Sequence, residues 1–509
     1  MNDKRQIVNI INFIRACEPR HEMDLLEPVA EQIKLMKKHN LRGTFLLQYD
    51  ALIRPEYTDL LKTLDPEQFE IGVWFEIVEP LVNKAKIPWT GRFPWDWHVH
   101  CGFAQGYTKS QREALIHILY EEFRSVFGYY PRVFGSWIFD SHTARYISDT
   151  YGADAFCNCK EQYGTDGYTL WGGYYGQGYY PSRTNIFMPA QTEKEQLPVP
   201  VFRMLGSDPV YQYDFGDIEN AAGHQAVITL EPVYHEAGGG VPEWIDWYLK
   251  ENYNGECLSF GYAQAGQENS FGWESMKDGL IYQFAEFERL QKEGRITVEP
   301  LGETGRWFKS EYKQTPASAI TAHSAWDDPE KRSVWYCSRF YRTNLYADND
   351  TMRIRDLHLF DEQYPDPFED IVCTANEACY DTLPLADGHL HTANGIPGGL
   401  HFRRPDGSTL PCSDMKFTDL ENGQAKVDFG TVSILLSEDR MEITAAEDFI
   451  LENRIVSGVV HTPSILAQSD SRLDLSYNGT KYSVQLESGR FESATAILSE
   501  NGRITAVFA

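Results

Sequence analysis

Positive charge and long apolar runs are both scarce in this chain of 509 residues. Its 46 lysines and arginines stand against 74 aspartates and glutamates, so the formal net charge is −28. Binding to a nucleic-acid backbone requires a basic surface, and we therefore expect no nucleic-acid partner. The first apolar run, Ile7–Ile14, is too short to cross a membrane and has no small-residue cleavage site, so we expect no membrane partner.

The nine cysteines include no Cys-x-x-Cys pair, the spacing that is typical of structural zinc sites. An odd number of cysteines without that spacing favours a reducing compartment, and we predict a cytoplasmic protein. A periplasmic or secreted location would apply to a chain whose signal peptide has been removed.

Two catalytic motifs are also missing. The sequence has no Gly-x-Ser-x-Gly nucleophile motif and no Gly-rich phosphate-binding loop followed by Lys-Ser or Lys-Thr. Serine-esterase chemistry and P-loop nucleotide hydrolysis are therefore disfavoured as functions of this chain.

Two sequence textures meet near residue 315. Residues 1–314 alternate apolar, strand-like segments with helix-like segments such as Ser110–Phe127, and this alternation predicts a (β/α) barrel of seven or eight parallel strands. Residues 315–509 consist of short alternating segments between Asp, Asn and Gly turns, which predicts a β-rich, sandwich-like domain. The predicted barrel strands are Ile7–Ile14, Thr44–Leu47, Phe69–Phe75, Val133–Phe139, Ala153–Cys157, Val199–Met204, Ala226–Leu230, Cys257–Phe260 and Ile296–Glu299.

Two long connections interrupt the barrel pattern at residues 84–108 and 164–196, and both are rich in Gly, Trp, Tyr and Pro. Loops longer than about 12–15 residues are usually functional or disordered, and an aromatic-rich loop is a poor candidate for disorder. We interpret both connections as walls of a binding cleft.

Acidic residues follow several of the predicted strands, where the loops of an α/β barrel converge on one cavity. Cleavage of a glycosidic bond needs one carboxylic acid to protonate the leaving oxygen and a second carboxylate to attack or to activate water. Our candidates for these catalytic roles are Glu231, Asp140 and Glu268. Glu231 could instead cap a helix or pair with an arginine, and Asp140 could cap the helix that begins near Ala144.

Further side chains near the predicted strand ends could bind a sugar through stacking and hydrogen bonds. The predicted substrate-binding residues are Trp74, Glu76, Asp96, His98, His100, Asp166, Trp171, Gln267 and Trp273. An alternative interpretation concerns Asp96, His98 and His100, which alternate along the chain and offer ligand types that zinc accepts. We predict no metal cofactor, with a divalent ion such as zinc on these three residues as the alternative.

The first 300 residues resemble the glycoside hydrolase/deacetylase barrel superfamily, which includes NodB-type polysaccharide deacetylases, class II α-mannosidases and amylopullulanase-like hydrolases. The resemblance depends on the segments KKHNLRGTF at Lys37–Phe45, FEIGVW at Phe69–Trp74 and YPRVFG at Tyr130–Gly135. The third segment and the helix-like Ala144–Gly152 behind it are similar to the Arg-Pro-Pro-x-Gly strand of the deacetylases and its helix. The resemblance implies a (β/α) barrel, and several members of the superfamily also append a β-rich domain.

The chain departs from the deacetylases at their zinc ligands. Arg15-Ala-Cys-Glu18 stands where deacetylases carry paired aspartates, and Trp74-Phe-Glu76-Ile-Val-Glu79 stands where they carry His-x-x-x-His. We therefore expect a glycoside hydrolase that uses two carboxylates on an oligosaccharide or a terminal sugar. The alternatives are a metal-dependent carbohydrate hydrolase or deacetylase and a non-catalytic carbohydrate-binding protein. The sequence predicts no oligomeric state.

Overall fold

A computed structural model describes residues 4–213, 227–459 and 461–508. Its barrel region contains ten strands and ten α-helices in these ranges. The strands are β1 (Gln6–Ile14), β2 (Gly43–Leu47), β3 (Phe69–Trp74), β4 (Val133–Gly135), β5 (Ala155–Asn158), β6 (Tyr168–Leu170), β7 (Gly178–Tyr179), β8 (Val201–Arg203), β9 (Gly261–Ala265) and β10 (Thr297–Val298). The helices are α1 (Leu26–Lys38), α2 (Tyr49–Leu52), α3 (Pro55–Lys62), α4 (Glu79–Lys84), α5 (Val99–Gly102), α6 (Lys109–Phe127), α7 (Ser141–Thr150), α8 (Pro242–Asn252), α9 (Trp273–Lys292) and α10 (Leu301–Glu311).

The barrel is nearly closed. Strands β1, β2, β3, β4, β5 and β8 pair in that order and in parallel, and β9 and β10 both pair with β1. Residues 227–231 fill the remaining gap, because Leu230 N donates to Leu205 O at 3.0 Å and Leu205 N donates to Gln264 Oε1 at 2.6 Å. β1 is buried along almost its whole length, as expected for a parallel strand that is covered on both faces.

Helices cover the outside of the barrel, and local sequence signals set their ends. At the start of α6, Thr108 and Gln111 form a capping box, with each side chain bound to the backbone of the other residue. The same helix ends at Gly128, whose φ of 85° is left-handed and therefore favours glycine. In the described ranges, no helix combines the length and the hydropathy needed to cross a membrane.

The C-terminal region is a sandwich of two antiparallel sheets. One sheet has the order β11-β12-β13-β14-β17-β22-β27-β26, with β16 also on β14, and the other has the order β18-β19-β20-β21-β28-β25-β24-β23. The strands are β11 (Ser318–Ala322), β12 (Lys331–Cys337), β13 (Tyr341–Asp348), β14 (Thr351–Leu359), β15 (Ala378–Tyr380), β16 (Leu383–Asp387), β17 (Gly399–Arg403), β18 (Lys416–Asp419), β19 (Ala425–Asp428), β20 (Val432–Ser437), β21 (Arg440–Ala445), β22 (Ile450–Arg454), β23 (Ser464–Gln468), β24 (Arg472–Tyr477), β25 (Thr480–Ser488), β26 (Arg490–Ser493), β27 (Ala496–Leu498) and β28 (Arg503–Val507). Apolar side chains of both sheets face one another across the interior, which confirms the sandwich-like class.

The barrel and the sandwich share a buried junction. β15 from the C-terminal region pairs in parallel with β6 from the barrel region. The rings of Tyr175 and Trp335 stack across the junction with centroids 3.8 Å apart. A segment of the C-terminal region therefore lies close to the loops at the top of the barrel.

Three predicted strands differ from the structure. The run Cys257–Phe260 is not a strand, because Leu258 has a φ of 62° and turns the chain before β9 begins at Gly261. β4 ends at Gly135 rather than at Phe139, and Oγ of the following Ser136 lies 2.8 Å from Phe75 O and 2.9 Å from Ile138 O. For the prediction Ala226–Leu230, the first residue lies outside the described ranges, and the rest makes only one bridge, between Thr229 and Ser207.

Candidate active site

A cleft of about 690 Å³ opens where the barrel strands end, and we call it the rim cleft. Its lining comes from the residues that follow β1, β3, β4, β5, β8 and β9, together with part of the C-terminal region. The lining residues are Arg15, Arg20, His21, Met23, Glu76, Trp95, Trp97, His98, Phe103, Trp137, Cys159, Lys160, Gln162, Asp166, Gly167, Tyr168, Leu205, Val227, Glu231, Tyr234, Glu268, Ser270, Phe271, Asn376 and Glu377.

An arginine between two carboxylates forms the centre of the rim cleft. Arg15 donates from Nε and Nη2 to the two oxygens of Glu76 at 2.9 and 3.0 Å. Its Nη2 also lies 2.8 Å from Oε2 of Glu268, and Ser270 donates its hydroxyl to Oε1 of Glu268 at 2.6 Å. The backbone of Arg15 is fixed by Asn269, which accepts from Arg15 N and donates to Arg15 O. This arrangement holds both carboxylates in place.

Burial and charge act in opposite directions on this cluster. Burial raises the pKa of Glu76 to about 7, with Glu268 adding to the increase and Arg15 opposing it. For Arg15, burial lowers the pKa, but the two neighbouring carboxylates outweigh burial and the pKa is raised overall. The guanidinium therefore remains charged while one of its partners holds its proton up to neutral pH.

Glu231 lies in a second polar group of the same cleft. Thr229 donates its hydroxyl to Oε2 of Glu231 at 2.7 Å, and Gln267 donates from Nε2 to Oε1 at 3.2 Å. Burial raises the pKa of Glu231, and the charge of Lys160 and the two hydrogen bonds oppose that increase. Gln267 also accepts from Glu268 N at 2.9 Å, so one amide side chain connects Glu231 to Glu268.

The segment that carries Glu231 is anchored by close backbone packing. Gln283 donates from Nε2 to Leu230 O at 2.9 Å and to Gly239 O at 2.7 Å. A Cβ atom at Gly239 would lie 2.2 Å from Leu230 O, so only glycine permits this approach. The Gly238–Gly240 loop is therefore required for the position of Glu231.

Lys160 is a buried cation that lines the rim cleft with only 3% of its surface exposed. Its Nζ donates to Gln162 Oε1 at 2.6 Å, and Gln162 in turn donates from Nε2 to Thr165 O at 2.8 Å. Lys160 lies two residues beyond the end of β5, and its charge acts on Glu231.

Aromatic rings form the walls of the rim cleft. The guanidinium of Arg15 lies 4.1 Å from the ring centroid of Trp95, and that of Arg20 lies 5.1 Å from the ring of Trp97. Trp137 closes the base with its ring 5.0 Å from that of the buried Trp74. Flat apolar faces next to charged hydrogen-bonding groups are a combination suited to sugar rings.

The C-terminal region completes one side of the rim cleft. Asn376 and Glu377 line the cleft just before β15. Val99 N donates to Asn376 O at 3.0 Å, and His100 N donates to Ala375 O at 3.1 Å. The barrel alone would therefore have an incomplete cleft wall.

Five of the predicted site residues lie in the rim cleft: Glu76, His98, Asp166, Glu231 and Glu268. Asp166 is exposed at the cleft mouth, with a left-handed φ of 58°. Glu76 was predicted as a sugar-binding residue, and the structure places it as a direct partner of Arg15.

Asp140 is a correction to the predicted catalytic residues. It lies outside the rim cleft, is fully buried and caps α7, accepting from Thr143 N at 3.0 Å. Its Oδ1 also lies 2.8 Å from Nη1 of Arg112. A carboxylate occupied by a helix cap and an arginine has no access to a substrate, so its position supports the alternative cap interpretation.

Four predicted sugar contacts also lie outside the lining of the rim cleft. Trp74 is completely buried beneath Trp137, and Trp171 is buried at the junction, where it donates to Asp387 Oδ2 at 2.6 Å. Trp273 begins α9 and packs against the core. Gln267 donates to Glu231 but does not itself line the cleft. These positions support packing or positioning roles for the four residues.

The predicted metal alternative, Asp96 with His98 and His100, does not converge on one point. Arg92 binds both carboxylate oxygens of Asp96 at 2.9 Å. Burial raises the pKa of Asp96, but its bonds from Arg92 and His98 outweigh burial and lower the pKa to about 2. The rings of His98 and His100 stand 5.9 Å apart, and His100 and Asp96 lie outside the cleft lining.

Several cleft residues were not singled out in the sequence, and they include both buried cations. Arg15 directly follows β1 and Lys160 lies two residues beyond β5, so the position near a strand end is the available signal. Tyr168 belongs to the aromatic-rich connection 164–196 that is predicted to wall a cleft, whereas Tyr234 follows Glu231 in the chain and lies outside both predicted connections.

The chain matches several solved structures at low sequence identity. A proposed glycoside hydrolase/deacetylase from Parabacteroides distasonis has a TM-score of 0.59 and 15% identity, covering 78% of this chain and 94% of that chain. A proposed polysaccharide deacetylase from Mycobacterium smegmatis has a TM-score of 0.37 and 12% identity, covering 60% and 91%. Puue allantoinase has a TM-score of 0.37 and 12% identity, covering 61% and 93%. No protein-family model and no protein of curated function matches the chain.

The first of these likenesses extends through both regions of the chain and shows the fold. The chain has a (β/α) barrel with a sandwich-like C-terminal region, a fold similar to that of the Parabacteroides distasonis protein. The fold that the sequence resemblance implied is therefore confirmed. The activity depends on the rim cleft itself.

Proposed function

We propose that the chain is a hydrolase that cleaves glycosidic bonds, with Glu231 and Glu268 as the two working carboxylates. The observation that carries this proposal is the meeting of three buried glutamates, at positions 76, 231 and 268, in one aromatic-walled cleft at the strand ends. Glycosidic cleavage requires a protonated acid and a charged carboxylate on either side of one bond. The rim cleft offers one residue suited to each role.

Glu231 has the environment of the general acid. Burial raises the pKa of its carboxyl group, so the proton that the leaving oxygen needs is held to higher pH than in water. Hydrogen bonds from Thr229 and Gln267 orient the carboxyl group but leave it on the cleft surface. Protonation of the departing oxygen assists bond cleavage.

Glu268 has the environment of the charged partner. The guanidinium of Arg15 and the hydroxyl of Ser270 both contact its carboxylate and stabilise the negative charge. This carboxylate would attack the anomeric carbon or activate a water molecule. Glu76 binds the opposite side of Arg15 and acts as a positioning residue.

The substrate class follows from the walls of the cleft. The rings of Trp95, Trp97 and Trp137 line the cleft, and its volume of about 690 Å³ is suited to a short oligosaccharide or a terminal sugar. The proposed substrate is therefore a soluble oligosaccharide or glycoside.

Turnover of nitrophenyl glycosides and natural oligosaccharides by wild type, Glu231→Gln and Glu268→Gln tests this function. Both variants should lose about 10²–10⁴-fold in kcat. Glu236→Gln is the matched control, because Glu236 is exposed in the same loop as Glu231 and does not line the cleft. Wild-type turnover should also survive a chelator.

Three outcomes would contradict the proposal. Chelator-sensitive turnover would instead support a metal-dependent hydrolase or deacetylase. Tight sugar binding without turnover, unchanged in Glu231→Gln, would support a carbohydrate-binding protein. Equal activity of Glu231→Gln and Glu236→Gln would remove Glu231 from the reaction.

A further inference from the structure

Three side chains with metal-binding atoms meet near the junction, away from the rim cleft. Cys379 lies in β15, Asp381 follows that strand, and His461 lies just before β23 of the second sandwich sheet. One ligand atom of each residue lies within 4.8 Å of the other two. Among the residues that the structure describes, this is the one group of three His, Cys, Asp or Glu side chains with such close ligand atoms.

Asp381 connects the members of this group. Its Oδ2 lies 3.0 Å from His461 Nδ1 and 3.9 Å from Cys379 Sγ. The hydroxyl of Tyr477, at the end of β24, lies 2.5 Å from both His461 Nδ1 and Asp381 Oδ2. A thiol, an imidazole, a carboxylate and a phenol are therefore adjacent, although they come from distant parts of the chain.

We propose that Cys379, Asp381 and His461 bind a divalent ion of the zinc class, with the hydroxyl of Tyr477 as the fourth group. Zn²⁺ binds thiolate sulfur at about 2.3 Å and imidazole nitrogen or carboxylate oxygen at about 2.0–2.2 Å in tetrahedral geometry. Ligand atoms of such a site stand roughly 3.3–3.7 Å apart. The separations of 3.0 and 3.9 Å lie on either side of that range, and the two 2.5 Å separations of the Tyr477 hydroxyl lie below it. Binding of the ion therefore requires rotations of these side chains, and the largest is that of Tyr477.

The donor set selects the class of ion. A thiolate with an imidazole favours zinc or cobalt, whereas calcium and magnesium require oxygen ligands. The second oxygen of Asp381 accepts from Tyr364 OH at 3.0 Å and faces Asn478 Nδ2 at 3.4 Å, which orients the carboxylate. Bonds of this kind to the outer oxygen of a ligand are typical of protein metal sites.

Binding of the ion at this site releases the proton of the Cys379 thiol to solvent, because ions of the zinc class bind the thiolate.

The position of the site indicates a structural role that is independent of the proposed glycosidase activity. β15, which carries Cys379, pairs with β6, and Tyr168 of β6 lines the rim cleft. His461 precedes β23 and Tyr477 ends β24, and both strands belong to the second sheet of the sandwich. A bound ion would thus connect this second sheet to β15, which pairs with a strand of the cleft wall.

Cobalt and zinc binding to the chelator-treated full chain test the proposal. We expect one equivalent of Co²⁺ with the near-ultraviolet absorption of a thiolate-cobalt bond, and one equivalent of Zn²⁺ by equilibrium dialysis. Cys379→Ser should lose the thiolate band, and His461→Gln should bind about 100-fold more weakly, at the upper end of the effects of changes around metal ligands. Cys412→Ser and His401→Gln are matched controls in the same region and should bind as wild type.

A second measurement requires no variant. Zn²⁺ should slow alkylation of Cys379 by at least about tenfold, because a metal-bound thiolate is protected, and leave the rate at Cys17 unchanged. Absence of the thiolate-cobalt band in wild type, the same band in Cys379→Ser, or equal alkylation rates with and without Zn²⁺ would each overturn the site. Glycosidase assays do not enter these readouts. Chelator-sensitive turnover in wild type but not in Cys379→Ser would assign that sensitivity to this structural ion rather than to a catalytic one, so the two proposals fail separately.

Discussion

Nη1 of Arg342 lies 2.6 Å from Oε1 of Glu161, and this buried ion pair connects the sandwich to the rim cleft. Arg342 lies in β13, while Glu161 directly follows the cleft residue Lys160. The same guanidinium pairs with Asp356 at 2.7 Å. The C-terminal region therefore supplies one of two cations beside this buried acid, the other being Arg203, whose Nη2 lies 3.6 Å from Oε2 of Glu161.

Replacement of Arg342 by methionine should destabilise the protein strongly. The change leaves Glu161 and Asp356 buried together without their shared cation, and breaking a buried pair in this way costs about 3–5 kcal/mol. Urea unfolding measures the loss in the free energy of unfolding. Because Glu161 adjoins Lys160, kcat/KM on the best glycoside should fall as well.

Arg339→Met is the matched control for that experiment. Arg339 pairs with Glu438, which is half exposed, and such pairs contribute about 0–1 kcal/mol. If Arg342→Met and Arg339→Met lose equal stability, the junction pair does not hold the cleft loop.

The fold was easier to predict from the sequence than the site, for a physical reason. A local apolar run predicts a strand such as Ile7–Ile14, and the observed β1 differs from that prediction by one residue. The cluster around Arg15 depends on partners 61 and 253 positions away in the chain, Glu76 and Glu268. No local pattern encodes such a contact.

Asp140 illustrates a different limit. A carboxylate after a strand is equally suited to catalysis and to a helix cap, and only the course of the backbone between Gly135 and Ser141 separates the two. Glu231 had the same ambiguity, and the structure places it on the cleft surface instead. Charge and position along a strand therefore identify candidates, while access to the cleft requires the folded structure.

Asp140→Ala should separate stability from activity. The substitution removes the cap of α7 and the partner of the buried Arg112, so the free energy of unfolding should fall by about 3–5 kcal/mol. Turnover per folded molecule should remain within about twofold of wild type, because no substrate contact is lost. Chemical unfolding and active-site-normalised kinetics measure the two quantities. If Asp140→Ala is folded and stable but has no turnover, Asp140 takes part in catalysis after all.

Lys160→Met should shift the pH profile of the proposed reaction. The ammonium of Lys160 opposes the increase that burial causes in the pKa of Glu231, so its removal should raise that pKa further. A general acid works in its protonated form, and the alkaline limb of kcat/KM should therefore move to higher pH. Profiles of wild type and Lys160→Met on one glycoside provide the measurement.

Lys309→Met provides a control for that profile, because Lys309 is a partly buried lysine that contacts Asp154 away from the cleft. Its alkaline limb should coincide with that of wild type. An unshifted limb in Lys160→Met would mean that Glu231 is not the acid or that Lys160 does not act on it.

Glu76 should make the protein less stable as the pH rises from about 4.5 to about 7. Burial raises the pKa of Glu76 from 4.5 to about 7, so within this window the folded chain retains a proton that the unfolded chain has lost. The unfolded state then binds fewer protons than the folded state, and the free energy of unfolding falls by about 3 kcal/mol across the window.

The Glu76→Gln variant cannot ionise at this position and should remove this decrease, whereas Glu79→Gln, a change outside the cleft lining, should retain it. Urea unfolding at pH 5, 6 and 7 distinguishes the slopes, and parallel curves for wild type and Glu76→Gln would show that Glu76 is already ionised in the folded protein at pH 5.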